Sequence, residues 1–98
     1  MTMSKELWEF TRQFHGLLET GEYSFVECLS IPAERLHEGD FKQIMIEVTN
    51  KVASGYPLHH VMKEYPDTFS PEFVSMIRSG MNEGKLDIVL QDFLNQAT

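Results

Sequence analysis

The chain has 98 residues, of which 42% are hydrophobic and 23% are charged, and its formal net charge is −7. A chain of this length is typical of one domain with a single hydrophobic core, so we predict one domain over residues 1–98. The acidic excess argues against a general nucleic-acid binder, which presents a positive surface to phosphate groups, and against electrostatic adhesion to an anionic bilayer.

Two helices are predicted in the first third of the chain. Apolar residues recur at three- and four-residue steps after Ser4 and as far as Thr20, which predicts a helix with one buried face that ends at the following glycine. Ser24 and Glu27 have the spacing of a capping box, in which each side chain accepts a hydrogen bond from the other residue's amide, so a second helix begins there. We expect this helix to be short, because Pro32 disfavours helical geometry at the residue before it.

A long helix and a short helix are predicted in the middle of the chain. Asp40 is predicted to cap the third helix, with Gln43 three residues on as its capping-box partner, and Gly55 is predicted to end it. Pro57 begins a short fourth helix, which stops before Tyr65 because the next residue is a proline. The buried face of the third helix is predicted to consist of Phe41, Ile44, Met45, Val48 and Val52.

Residues 69–90 predict a helix, a tight turn and a second helix. Ser70 is a good N-cap, because its hydroxyl can accept a hydrogen bond from an amide of the first turn. Pro71 then falls at the first helical position, where its missing N–H removes no helical hydrogen bond. Phe69 and Val74 have the positions of a hydrophobic staple over that cap.

Two glycines delimit the turn of this hairpin. Gly80 is placed to stop the fifth helix in a left-handed conformation, and Gly84 is placed to open the sixth. The apolar stripe of the sixth helix is predicted to be Leu86, Val89, Leu90, Phe93 and Leu94. Helices joined this tightly pack antiparallel, and no part of the chain alternates apolar and polar residues as a strand does. The sequence therefore predicts an all-α protein, a compact six-helix bundle of antiparallel helical hairpins.

No catalytic, cofactor-binding or metal-binding residues are predicted. His59 and His60 are adjacent, so on a helix their side chains point in different directions, and no histidine has a second ligand at the spacing of a zinc site. Cys28 has apolar neighbours and no assignable basic partner, which indicates a buried and unreactive thiol. The acidic residues near the predicted helix starts complement the helix dipoles. We therefore expect a protein that is not an enzyme.

Three stretches of the chain match a known family pattern in order and in separation. They are FTRQFHGLLETGEYSFVECL at residues 10–29, GYPLHHVM at 55–62 and the hairpin at 69–90. Together they resemble the type II secretion system F domain, which occurs in the inner-membrane platform proteins of type II secretion and type IV pilus machines. The positions that match the family motifs, to which we assign structural functions, are Phe10, Arg12, Leu17, Gly21, Glu27, Gly55, Phe69, Phe73, Gly80, Gly84 and Leu86.

The sequence departs from the family pattern at three positions. The family's glutamate after the first hairpin glycine is Met81 here, and its following serine is Glu83. The usual proline before the second helix is displaced by Tyr23. Since some family members hold a calcium ion with acidic side chains, the loss of the glutamate at Met81 counts against a metal site in this chain.

The resemblance implies a domain on the cytoplasmic face of the bacterial inner membrane, followed in the intact protein by a transmembrane helix outside this chain. The implied function is that of a non-enzymatic scaffold. Its implied partners are the assembly ATPase and other inner-membrane platform proteins of the same machine, and homo-oligomers are a further option. On this basis we expect the chain to be the N-terminal domain of a longer protein, without a cofactor of its own.

Two other classes of protein fit parts of the sequence. A free-standing soluble helical adaptor would need no membrane partner, and a ~20-residue apolar span further along the parent gene would favour the platform protein over it. A helix-turn-helix DNA binder fits poorly, because the last two predicted helices offer only Arg78 and Lys85 as cations. No nucleic-acid partner is therefore expected.

Overall fold

The computed structural model describes residues 4–96, which form six helices and no strand. The helices are α1 (Lys5–Thr20), α2 (Phe25–Glu34), α3 (Asp40–Ala53), α4 (Leu58–Met62), α5 (Pro71–Glu83) and α6 (Leu86–Gln96). The predicted all-α fold of six helices is confirmed. The predicted domain over residues 1–98 also includes residues 1–3 and 97–98, which lie outside the described residues.

The first two helices begin and end through local hydrogen bonds that the sequence predicts. The hydroxyl oxygen of Ser4 accepts a hydrogen bond from the amide of Leu7, and Gly21 ends α1 at a φ of 69°. The capping box of α2 is present in full. The Glu27 amide donates to the Ser24 hydroxyl at 3.1 Å, and the Ser24 amide donates to the Glu27 carboxylate at 2.9 Å. The predicted bounds of α1 and the start of α2 are therefore confirmed.

The sequence led us to expect that α2 would end before Pro32. It does not. It continues to Glu34 with the proline inside it, and the proline ring is buried in the core beside the buried Ala33. The amide of Arg35 donates to the carbonyl of Pro32 at 3.1 Å, which closes a tight last turn. Burial of the ring and of its apolar neighbours offsets the one helical hydrogen bond that a proline cannot make.

The start of α3 lies one residue earlier than predicted. Gly39 is the N-cap, and no side chain caps the helix there, so the expected capping box of Asp40 and Gln43 is wrong. Gly39 has a φ of 154°, which residues with a side chain rarely adopt, and its carbonyl accepts the first helical hydrogen bond from Gln43. Asp40 is instead the first helical residue, where its carboxylate complements the helix dipole.

The start of α5 is as predicted, whereas its end is not. Ser70 accepts a hydrogen bond from the Phe73 amide at 3.1 Å. Gly80 does not stop the helix, which continues to Glu83, and Gly84 is the left-handed residue with a φ of 67°. The amide of Lys85 donates to the carbonyl of Gly80 at 2.8 Å, which is the closing bond of a Schellman motif.

Each helix packs against the next one along the chain, and α6 also packs against α1, so the bundle closes on itself. Phe73 near the start of α5 contacts Phe93 near the end of α6, with ring centroids 5.3 Å apart, as an antiparallel hairpin requires. In the core, the Phe10 ring of α1 lies 6.1 Å from the Phe14 ring of the same helix and 6.4 Å from the Phe41 ring of α3. The apolar side chains that are at most 1% exposed are Phe10, Cys28, Leu29, Ala33, Met45, Val48, Leu58, Val61, Met62, Phe69, Ile77 and Leu90.

Candidate interaction surface

The positions that match the family motifs do not converge on one site. Those buried in the core are Phe10, Phe69, Phe73 and Leu86. Those at turns with positive φ are Gly21, Gly55 and Gly84. Leu17 is half-buried against the core, Glu27 completes the capping box, and Gly80 lies at the contact of α5 with α6. These residues lie in the core, in turns and at helix ends. That they serve the fold and not a ligand remains a prediction, which substitution of each residue would test.

Arg12, the charged motif residue of α1, pairs with a neighbour on its own helix. Its guanidinium donates hydrogen bonds to both carboxylate oxygens of Glu9, one turn earlier. The hydrogen bond from Arg12 lowers the pKa of the Glu9 carboxyl. Because both side chains are exposed to screening by solvent, such a pair contributes little to stability.

Two residues of the types that often perform chemistry, His15 and Cys28, are buried in the fold. His15 is buried, and its Nε2 lies 2.9 Å from a carboxylate oxygen of Glu19 on the same helix. Cys28 is only 1% exposed, and burial raises the pKa of its thiol. Among residues 4–96, no three His, Cys, Asp or Glu side chains come close enough together to hold a metal ion.

An open groove of about 810 Å³ lies where the N-terminal ends of α1, α3 and α5 meet. We call it the acidic groove. Its apolar floor consists of Leu7, Phe41, Ile44, Phe73, Met76 and Phe93. Its rim carries the carboxylates of Glu6, Asp40, Asp67 and Glu72. No lysine or arginine is among the described residues that line it.

The four rim carboxylates are exposed, and none of them forms an ion pair with another of the described residues. None of the ion pairs formed within residues 4–96 includes Glu6, Asp40, Asp67 or Glu72. Three of them lie in the first turns of α1, α3 and α5. The sequence indicated acidic residues at helix starts, but it did not reveal that three separate helix starts share one groove.

A second polar cluster joins α3 to the segment after α4. Lys51 donates a hydrogen bond to Glu64 at 2.7 Å, and its Nζ lies 5.7 Å from the centroid of the Tyr65 ring. The Tyr65 hydroxyl donates to Glu47 at 2.8 Å. These contacts link α3 to the segment that follows α4.

Comparisons with known proteins place most of this chain in one family. Residues 10–97 match the model of a family described as "Type II secretion system (T2SS), protein F". The chain is 31% identical over 86 residues to the type IV pilus assembly protein PilC of Myxococcus xanthus, which is 88% of this chain and 20% of that protein. It is 33% identical over 87 residues to the type II secretion system protein F of Vibrio cholerae, which is 89% of this chain and 21% of that protein.

A third relative gives the same result. The type II secretion system protein F of Aeromonas hydrophila is 31% identical over 87 residues, which is 89% of this chain and 22% of that protein. The chain belongs to the protein F family of type II secretion systems, whose members include proteins of type IV pilus assembly. It spans about a fifth of the length of these relatives. None of the helices formed by residues 4–96 is both long enough and apolar enough to cross a bilayer.

Proposed function

We propose that this chain is a scaffold domain, without catalytic activity, of an inner-membrane platform protein in type IV pilus assembly or type II protein secretion. The observation that carries the proposal is the family match over residues 10–97, together with relatives named for both machines. The domain stands on the cytoplasmic side of the membrane and docks the assembly ATPase and other proteins of the same machine. A transmembrane helix outside this chain attaches it to the bilayer.

The charge of the chain supports a docking function of a particular kind. With a formal net charge of −7, the domain repels acidic surfaces, so the surface that it meets on its partner is neutral or basic. Charged rims chiefly set association rates, and salt screens them. The affinity for the ATPase therefore falls as the salt concentration rises.

Calorimetric titration of the chain with the purified assembly ATPase of its own system, at low and at moderate salt, tests the proposal. We expect binding at low salt and weaker binding at moderate salt. No heat at either salt concentration, together with dimerisation in sedimentation, would replace the proposal with a scaffold that associates only with its own copies.

The cytoplasmic placement needs a separate test on the intact parent protein. A single cysteine is introduced at the exposed position Glu22, on the α1–α2 turn, in a background in which Cys28 is alanine. If the domain faces the cytoplasm, a membrane-impermeant maleimide labels this cysteine only after the cells are lysed. Labelling of intact spheroplasts, in which the outer face of the inner membrane is accessible, would place the domain on the opposite side.

A further inference from the structure

We propose that the acidic groove binds a basic amphipathic helix from a protein partner, with apolar side chains on the floor and lysines or arginines at the rim. This proposal goes beyond the scaffold function, because it assigns a surface and the chemistry of its ligand. It holds whichever protein of the machine supplies the helix.

The floor of the groove is the first argument. Ile44 of α3, Met76 of α5 and Phe93 of α6 are only half-buried, although they come from three different helices of the bundle. Single exposed apolar residues are ordinary on a protein surface. Here three half-buried apolar side chains from different helices line one concavity of about 810 Å³, which is large enough to take side chains of a partner.

The charge of the rim selects the ligand. A helix N-terminus carries about half a positive charge, so the three helix starts at the groove contribute roughly +1.5 against four carboxylates. The rim therefore keeps an excess of about two to three negative charges after the dipoles are satisfied. No cation of the described residues lines the groove, so a ligand has to bring its own.

The spacing of the carboxylates favours a ligand with several separated positive charges over a single metal ion. They surround the groove on α1, α3, α5 and the segment before α5, and no three of them come close enough together to hold a metal ion. The lysines of an amphipathic helix are spread along its polar face in a comparable way.

A helix fits the groove better than an extended peptide. An extended peptide in β conformation gains affinity by pairing its backbone with the edge of a sheet, and residues 4–96 contain no strand to offer one. A helix arrives with its backbone hydrogen bonds already made, so it needs only apolar contacts and charge at the groove.

The probe for the test is an acetylated and amidated peptide of leucine, alanine and lysine that forms a helix with one apolar face. A second peptide, in which every lysine is glutamate, is the charge control. Each is titrated into the isotope-labelled 98-residue chain at low salt, and the backbone amide signals are followed by NMR. We expect saturable shifts for the lysine peptide that are largest at groove residues such as Ile44, Met76 and Phe93, and no shifts for the glutamate peptide.

Two double variants distinguish the effect of the charges at the groove rim from the effect of the net charge of the chain. Asp67→Asn with Glu72→Gln removes two rim charges, whereas Glu22→Gln with Asp87→Asn removes two exposed carboxylates that do not line the groove and form no ion pair within residues 4–96. We expect the rim pair to raise the Kd about fivefold or more, and the control pair to raise it less than about twofold.

A second comparison tests the floor. Met76→Ser lowers the apolar area of the groove, and Met81→Ser makes the same change at an exposed methionine on the same helix, outside the groove. Only the first is expected to weaken binding, with both variants retaining the circular dichroism of the parent chain. Equal effects of the matched variants, or shifts scattered over the whole surface, would overturn the proposal. Shifts that depend on dilution before any peptide is added would assign the groove to a second copy of the chain.

Discussion

Gly80 of α5 faces Val89 of α6 so closely that a methyl group on Gly80 would lie 2.6 Å from Cγ2 of Val89. The same methyl group would lie 3.0 Å from Cα of Leu86, at the start of α6. Real side chains do not approach so closely, so the two helices can take this separation only because residue 80 has no side chain. Gly80 therefore determines how closely α5 and α6 pack, whereas Gly84 forms the turn between them.

Replacing Gly80 by alanine is expected to destabilise the domain by about 1–3 kcal/mol. Alanine is favoured over glycine inside a helix by up to about 1 kcal/mol, so the steric conflict has to exceed that gain. The branched side chain of Val89 has restricted rotamers, and the nearby Cα of Leu86 belongs to the backbone, so neither retreats easily. Urea unfolding followed by circular dichroism measures the difference.

The matched control is Gly16→Ala. Gly16 lies inside α1 and is exposed, and a methyl group added there would meet no atom within 4 Å beyond its chain neighbours and the backbone of its own helix. This substitution is expected to stabilise the domain by about 0.5–1 kcal/mol through helix propensity alone. Adding Val89→Ala to Gly80→Ala should recover part of the loss. Equal effects at Gly16 and Gly80 would show that packing against α6 is not what requires the glycine.

Gly84→Ala is expected to destabilise the domain for a different reason. Gly84 has a φ of 67°, and a residue with a Cβ atom in the left-handed conformation is disfavoured by about 1–2 kcal/mol. Apart from Gly84 and its chain neighbours, no heavy atom lies within 4 Å of the added methyl group, so the loss comes from the local backbone conformation and not from a clash with another helix. Gly84→Asn should lose less than Gly84→Ala, because asparagine tolerates this conformation better. Thermal melts that rank the two variants in the reverse order would contradict this explanation.

Local signals in the sequence account for most of the fold. Ser4, Ser24 and Ser70 each cap a helix through a side chain that bonds an amide three residues on, and such contacts depend only on near neighbours. The apolar stripes give the buried faces for the same reason, since helical spacing places those residues together whatever the rest of the chain does. These features were predictable because they are decided within about one helical turn.

Two of the errors, at Pro32 and at Gly80, arose where contacts with other parts of the fold override a local preference. Pro32 stays inside α2 because its ring is buried in the core. Gly80 stays inside α5 because it meets α6, and glycine is needed for that contact and not for a left-handed conformation. A sequence shows that a glycine is present, but it does not show which of these two uses applies.

The capping box of α2 gives a prediction about a purely local interaction. Ser24→Ala removes the acceptor for the Glu27 amide and is expected to lower stability by about 1 kcal/mol. For a domain of this size, that corresponds to a fall of roughly 4–8 °C in the Tm. Ser30→Ala, on the same helix but away from the cap, should shift the Tm much less. If the two alanine variants melt together, the cap does not contribute as the geometry indicates.

The acidic groove could not be predicted from the sequence, although each of its charges could. Glu6, Asp40 and Glu72 each look like an ordinary acidic residue in the first turn of a helix. Their common location depends on how α1, α3 and α5 pack, and that is decided by core contacts far apart in the chain. Among these is the edge-on contact of the Phe10 and Phe41 rings, which brings α1 against the start of α3.

Cys28 is placed to test how well the core excludes solvent. Its side chain lies in α2, is 1% exposed, and has Leu29 and Ala33 as buried neighbours on the same helix. Desolvation raises the pKa of the thiol, and the negative charge of Glu27 raises it further. Both effects reduce the fraction of thiolate, which is the form that reacts with disulfide reagents and alkylating agents.

We therefore expect the thiol of the native chain to react with an aromatic disulfide reagent at pH 8 far more slowly than the thiol of the chain unfolded in urea. An unfolded cysteine ionises near pH ~8.5, whereas the buried thiol of Cys28 stays protonated to higher pH. Above pH ~8.5 the unfolded state therefore binds fewer protons than the native state. Stability should accordingly fall as the pH rises through this range, and Cys28→Ala should remove that component of the pH dependence. A native thiol that reacts as fast as the unfolded one would mean that α2 opens readily, contrary to its burial in the core.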